Sequence, residues 1–166
     1  MELLDSRTTY EGFVADVKVK RYRRAGGSEV ERQVIEHPGS VAILAHDAEV
    51  VYLVRQPREA VEDDGLLEIP AGTLDVTGEG ELECAKRELA EEVGLAAAEW
   101  SLLKAVYPSP GFVSERATIF EATGLSAAAG IPTRTRKSRS CAGRSPTSTG
   151  RSPRSRTRPL LSRCCC

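Results

Sequence analysis

No run of about eighteen apolar residues, the length that spans a bilayer, occurs in this chain. Its first residues, MELLDSRTTYEGF, lack the basic start and apolar middle of a secretory leader. A cytoplasmic protein without a membrane partner is therefore expected. Cysteine is scarce as well, since Cys84 is the only one before residue 141. Beside Ala85 on an apolar stripe, it is expected as a small buried side chain and not as a nucleophile or ligand. Aromatics are missing from residues 131–166, and so is any acid after Glu121.

What is present divides the chain in two. Ten of the 23 Lys and Arg residues lie in 131–166, whereas all 24 acids lie before residue 130, so the formal charge of −1 hides −11 and +10. Residues 1–130 are long enough for one domain with its own core. Residues 131–166 are Arg/Ser/Pro-rich low complexity, unable to bury a core and expected to be disordered. An RNA-binding or membrane-surface arm is the functional alternative for that tail, and a metal or lipid site for its three closing cysteines. Both are disfavoured: no aromatic interleaves the arginines to stack on bases, and no second ligand pair faces the cysteines.

Within residues 1–130, alternation predicts strands over 13–20, 41–45, 50–54, 100–106 and 117–122, with a hairpin turn at Ala25-Gly26-Gly27-Ser28. Leu82, Ala85, Leu89 and Val93 recur at spacings of three and four and predict a helix that Gly94 ends. Strands around one well-marked helix make an α+β or sandwich fold class. Opposite the apolar stripe, Glu88, Glu91 and Glu92 share a face at helical spacing. Like charges so placed repel, and hard divalent ions with oxygen ligands are the partners that fit them. Arg87 can pair with Glu83 or Glu91, four residues to either side, and hold a carboxylate in its ligating rotamer.

The stretch from Gly72 to Leu95 resembles the Nudix box. From Glu79 onward the match is complete: seven residues, then Arg87-Glu88-Leu89, Glu91-Glu92, Gly94 and Leu95. The single departure is that six residues, not five, separate Gly72 from Glu79, a loop one residue longer. The alternative, an ordinary solvated helix, rarely reproduces so extended a motif. The resemblance implies a Nudix fold, a mixed β-sheet sandwiched between helices. It also implies that Mg²⁺, or Mn²⁺ in its place, assists water to attack a diphosphate, with Arg87, Glu88, Glu91 and Glu92 as the catalytic set.

Val54-Arg55-Gln56-Pro57-Arg58, Leu67-Glu68-Ile69-Pro70-Ala71-Gly72 and Ser109-Pro110-Gly111-Phe112-Val113-Ser114-Glu115-Arg116 are similar to the ADP-ribose pyrophosphatase branch of that family. This implies metal ligation by the Ala71 carbonyl with Glu88, Glu91 and Glu92. It implies substrate contacts from Arg58, Ser109, Gly111 and Glu115, and from Arg32 and His37, which could serve a neighbouring site in a homodimer. Taken singly, Arg58 reads equally as a surface arginine and His37 as a loop residue satisfied by backbone. The expected reaction converts ADP-ribose, or a related nucleoside diphosphate sugar, to AMP and ribose 5-phosphate. Alternatives are another nucleotide substrate, or a catalytically silent nucleotide- or RNA-binding protein; nucleic acid is the weaker expectation.

The branch also supplies a glutamate from an acidic loop near its C-terminus. Written from Gly130 in GC-rich codons and read from the third nucleotide, the tail becomes DPDEDEEIEVV and then an apolar-periodic segment, as if a frame shift had replaced that loop, strand and helix. Impaired catalysis is the expectation for the chain as it stands.

Overall fold

The computed structural model describes residues 1–12, 14–129 and, as backbone, 141–144. Among these, four strands and one helix form the core layer. Strands β4 (Ser40–Ala45), β7 (Ala71–Thr73), β8 (Leu95–Val106) and β9 (Ala117–Ala127) pair in the order β7-β4-β9-β8. The β4–β9 pair is parallel and the outer pairs are antiparallel, so the sheet is mixed. Helix α1 (Glu81–Val93) packs on it.

Alternation puts the odd residues of β4 and the even residues of β9, which pair with them, inward. Val41, Ile43 and Ala45 of β4 are buried, as are Phe120 and Ala122 of β9. They meet Ala85 and Leu89 of the predicted stripe and Cys84 beside them, with Leu82 and Val93 of that stripe partly buried at its ends. Trp100 closes one side with its ring at 76° to that of Phe120, centroids 6.4 Å apart. Thr118, buried in this wall, accepts a hydrogen bond from Arg116 Nη1 at 3.1 Å. Arg116 also pairs with Glu81 in the first turn of α1 and so ties helix to sheet. The helix ends at Gly94, whose φ of 76° is left-handed and whose N–H donates to the Ala90 carbonyl at 3.0 Å.

Two smaller sheets flank this layer. Strands β5 (Val50–Arg58), β6 (Asp63–Glu68) and β10 (Cys141–Arg144) form one, in the order β10-β5-β6, with a 3₁₀ turn (Glu59–Val61) between β5 and β6. Strands β1 (Glu2–Tyr10), β2 (Asp16–Arg23) and β3 (Glu29–Glu36) form the other as an antiparallel meander. Its β2–β3 hairpin turns at the expected glycines, Arg24 N–H donating to Ser28 at 2.9 Å. The meander meets the body where Ile35 donates to Phe112 at 2.7 Å and accepts from Ser114 at 2.9 Å.

All the predicted strands are present, mostly longer than expected. Strand β2 begins at Asp16, while Phe13 lies outside the described residues. Strands β1, β3, β6 and β7 were not anticipated. The first two bury too little to show a clear apolar alternation, β6 starts with two aspartates and a glycine, and β7 has three residues. The expectation of a sheet between helices meets one helix among the described residues, α1. The expected disorder and frame shift of residues 131–166 lie outside the described residues, β10 apart. No helix among the described residues is long and apolar enough to cross a membrane.

Candidate active site

Glycine at position 72 is dictated by the helix facing it. A Cβ there would overlap Cγ, Cδ and Oε1 of Glu88, so the backbone of β7 lies directly against that carboxylate. One residue earlier, the Ala71 N–H donates to Glu92 Oε2 at 3.2 Å. Two acids one helical turn apart are thus pressed on the same short strand. The longer loop after Gly72 is absorbed by a turn in which Glu79 N–H donates to Val76 at 3.1 Å and Gly78 takes a φ of 84°.

Arg87 organises the acid face. Its Nε and Nη2 donate to the two oxygens of Glu79 at 2.9 and 3.0 Å, and its Nη1 donates to Glu88 Oε1 at 2.7 Å. The bond from Arg87 holds the Glu79 carboxyl below its ordinary range, and the Glu79 bond in turn raises Arg87. The expectation of Glu83 as a partner is corrected: Glu83 pairs with Lys86 at 2.9 Å, while Arg87 reaches across the turn to Glu79. Glu91 is 3.6 Å from Arg87, a looser contact. Cys84 is buried beneath, and burial pushes its thiol up to about 11, so it is no nucleophile.

A cavity of about 360 Å³ opens over the acid pair. It is lined by Ala71, Gly72, Thr73 and Asp75 on one side, Glu88 and Glu92 on the helix, Gln56 and Arg58 of β5, and His37, Ser40 and Glu115 at the far end. Among the described residues Arg58 is its one Lys or Arg, and the Glu68 bond keeps that guanidinium more firmly charged than usual. At the far end Ser40 Oγ donates to Glu115 Oε1 at 2.6 Å. The Gly39 N–H donates to His37 Nδ1 at 3.1 Å, which leaves the proton of the neutral ring on Nε2.

Six of the expected residues therefore share one cavity: Ala71, Glu88, Glu92, Arg58, His37 and Glu115. Arg87 stands behind Glu88, outside the lining. Glu91 also lies outside, and among the described residues no three His, Cys, Asp or Glu side chains are close enough to hold a metal ion. Of the expected trio the cavity takes in Glu88 and Glu92, with Glu91 beside Arg87 on the adjoining helix surface. Successive helical residues turn by about 100°, so Glu91 cannot follow Glu92 toward β7. Arg32 and Gly111 line a second cavity of about 350 Å³ between the N-terminal meander and the 110–114 loop. Ser109 lines neither; its carbonyl accepts from Phe112 and Val113 in the turn there.

Sequence reasoning missed Ser40, Gln56, Thr73 and Asp75, together with Glu68, which grips Arg58. The available signal for Glu68 is an acid inside the otherwise apolar Leu66-Leu67-Glu68-Ile69-Pro70, and for Gln56 its place two residues from Arg58 on a strand. The donor chemistry fits a hard divalent cation: two carboxylates and a backbone strand crowded against them, all oxygen ligands.

Comparison with known proteins bears on the same segment. The NUDIX domain model matches residues 36–135. The chain is 41% identical over 125 residues to the ADP-ribose pyrophosphatase of Mycobacterium tuberculosis, covering 75% of this chain and 60% of that protein. It is 38% identical over 118 residues to the ADP-ribose pyrophosphatase of Bacillus subtilis, covering 70% and 63%. To the methanol dehydrogenase activator of Bacillus methanolicus it is 35% identical over 118 residues, again 70% and 63%. The chain thus spans 60–63% of the length of these relatives. A crystal structure of an ADP compounds hydrolase superimposes with a TM-score of 0.70 at 22% identity, over 84% of this chain and 76% of that one, a likeness of fold.

Proposed function

This chain belongs to the Nudix family, and from that footing we propose that it hydrolyses the diphosphate bond of ADP-ribose or a related nucleoside diphosphate sugar. The observation that carries the reading is the cavity in which Glu88 and Glu92 oppose Arg58, with Glu115 and His37 at the far end. A diphosphate is anionic, so carboxylates approach it only through cations, whereas a guanidinium binds it directly.

Glu88, Glu92 and the Ala71 carbonyl would hold Mg²⁺ or Mn²⁺, with Glu91 sharing a second ion. When bound, such an ion neutralises phosphate charge and lowers the pKa of a coordinated water. Arg87 keeps Glu88 in its ligating rotamer. Arg58 donates to the phosphate oxygens. The Glu115 carboxylate accepts from substrate hydroxyls, and His37 offers Nε2–H. Water adds to one phosphorus as the bridging P–O bond breaks, giving AMP and ribose 5-phosphate. Arg32 and Gly111, and Ser109 in the adjoining turn, would serve the substrate of a neighbouring subunit in a homodimer. The boundary at residue 130, a cytoplasmic location and the absence of a nucleic-acid partner complete the reading.

Residues 122–166 hold no acid; where they stand in place of the acidic loop, that segment supplies no general base, whose help is worth on the order of 10²–10⁴-fold in turnover. The test is Mg²⁺-dependent release of AMP from ADP-ribose, run beside nucleoside triphosphates. Slow release of AMP and ribose 5-phosphate is expected, abolished in Glu88→Gln with Glu92→Gln. Preference for triphosphates would overturn the substrate, and ADP-ribose binding without any turnover would favour the silent nucleotide-binding protein.

A further inference from the structure

Arg58, the one Lys or Arg among the described residues of a cavity lined by Asp75, Glu88, Glu92 and Glu115, faces a conformational problem. Its long side chain has many rotamers, and the field of Glu92 acts on it directly. Left to itself it would collapse onto the nearest lining carboxylate and block the place of an anionic ligand.

The structure holds it by one edge instead. Glu68 Oε1 accepts from Arg58 Nε at 2.9 Å, and Oε2 accepts from Nη2 at 2.7 Å. Gln56 Nε2 donates to the same Oε2 at 3.0 Å and fixes the carboxylate in turn. The β5–β6 pairing brings the two strands together: Val54 is opposite Glu68, and the register shifts between Gln56 and Arg58, which is opposite Asp63. Glu68 does not line the cavity, so its effect on a ligand passes through the two lining residues it bonds, Arg58 by three hydrogen bonds and Gln56 by one. The bonds from described residues occupy Nε and Nη2, and Nη1 is left to meet the ligand.

We propose that Glu68, steadied by Gln56, is a positioning residue that clamps the Nε–Nη2 edge of Arg58 so that Nη1 faces the diphosphate. The alternative is a simple staple between β5 and β6 that adds stability and nothing to the site. This inference rests on the proposed diphosphate substrate for its consequence, though not for the clamp itself.

Two measurements on the full chain test it. In ¹⁵N-labelled protein the Arg58 Nε–H resonance, identified by its loss in Arg58→Lys, should exchange slowly with solvent and become fast-exchanging in Glu68→Gln. Fast exchange in the unaltered protein, or no change in Glu68→Gln, overturns the clamp. Calorimetric titration with ADP-ribose and Mg²⁺ should then give about tenfold weaker binding for Glu68→Gln, the loss of one charge-assisted hydrogen bond. In an Arg58→Gln background the same change should have no further effect, whereas additive losses would leave only the staple. Glu68→Asp, which keeps the charge on a shorter arm, serves if Glu68→Gln does not fold, with the same directions expected. If the unaltered protein binds no ADP-ribose while the Arg58 signal behaves as described, the substrate reading has failed and the clamp stands.

Discussion

The body around α1 and the N-terminal meander are both built largely of strands, yet they are held by different forces. In the body, alternate residues of β4 and β9 are buried against the helix. Among the described residues of the meander Val19 is the one buried hydrophobic residue, while Met1, Leu3 and Tyr10 are exposed. Its cross-strand contacts are ionic: Lys18 and Lys20 both meet Glu36, and Arg23 bridges Glu2 and Glu29 at 3.1 Å. Burial scales with area and is insensitive to salt, whereas exposed pairs are weak and screened. The meander's backbone bonds to the 112–114 loop run through Ile35.

The largest effect should come from attacking the body where burial is complete. Leu89→Ala removes a fully buried side chain, and a loss of about 2–5 kcal/mol in urea unfolding is expected. A loss under 1 kcal/mol would mean that the helix is not what holds the sheet. Gly72→Ala comes next: its methyl collides with Glu88, and overpacking of this kind costs about 1–3 kcal/mol. Because the collision is with the acid itself, ADP-ribose hydrolysis should fall further than stability does, and equal falls would weaken the assignment of Glu88.

Smaller changes are expected in the meander. Arg23→Gln should cost less than about 1 kcal/mol, and amides of β1–β3 should exchange faster than those of β4 and β9. Protection equal to that of β4 would erase the contrast between the regions. Smallest is a pH effect. Hydrogen bonds from Lys18 and Lys20 lower the Glu36 carboxyl, so its contribution is present above the ordinary carboxylate range and lost as pH falls through its folded value. Protection of the β2 and β3 amides, taken relative to the free-peptide rate at each pH, should therefore fall on acidification before that of β9 does, and Glu36→Gln should remove the difference.

The helix and its acids were legible because they obey a local rule. A period of 3.6 residues relates Leu82, Ala85, Leu89 and Val93 whatever surrounds them, and the burial of Cys84, Ala85 and Leu89 agrees. Strands β4 and β9 were legible for a similar reason, with clean alternation over a buried face. The meander was half hidden, since strands with little burial carry little apolar pattern. At the site, the three acids were within reach of spacing alone, while which of them face β7 was not, because sharing a helical sector is coarser than facing one strand.

From its residues alone the chain determined a charged helix, its apolar stripe, the glycine ahead of it and the break in composition at residue 130. All are matters of neighbours within a few positions. Tertiary structure alone decided which side chains meet: Ser40 with Glu115, 75 positions apart, Arg58 with Glu68, ten apart, and Arg87 with Glu79, eight apart. Hydrogen bonds depend on distances of about 3 Å between atoms that folding brings together, and no periodicity along a sequence carries that information.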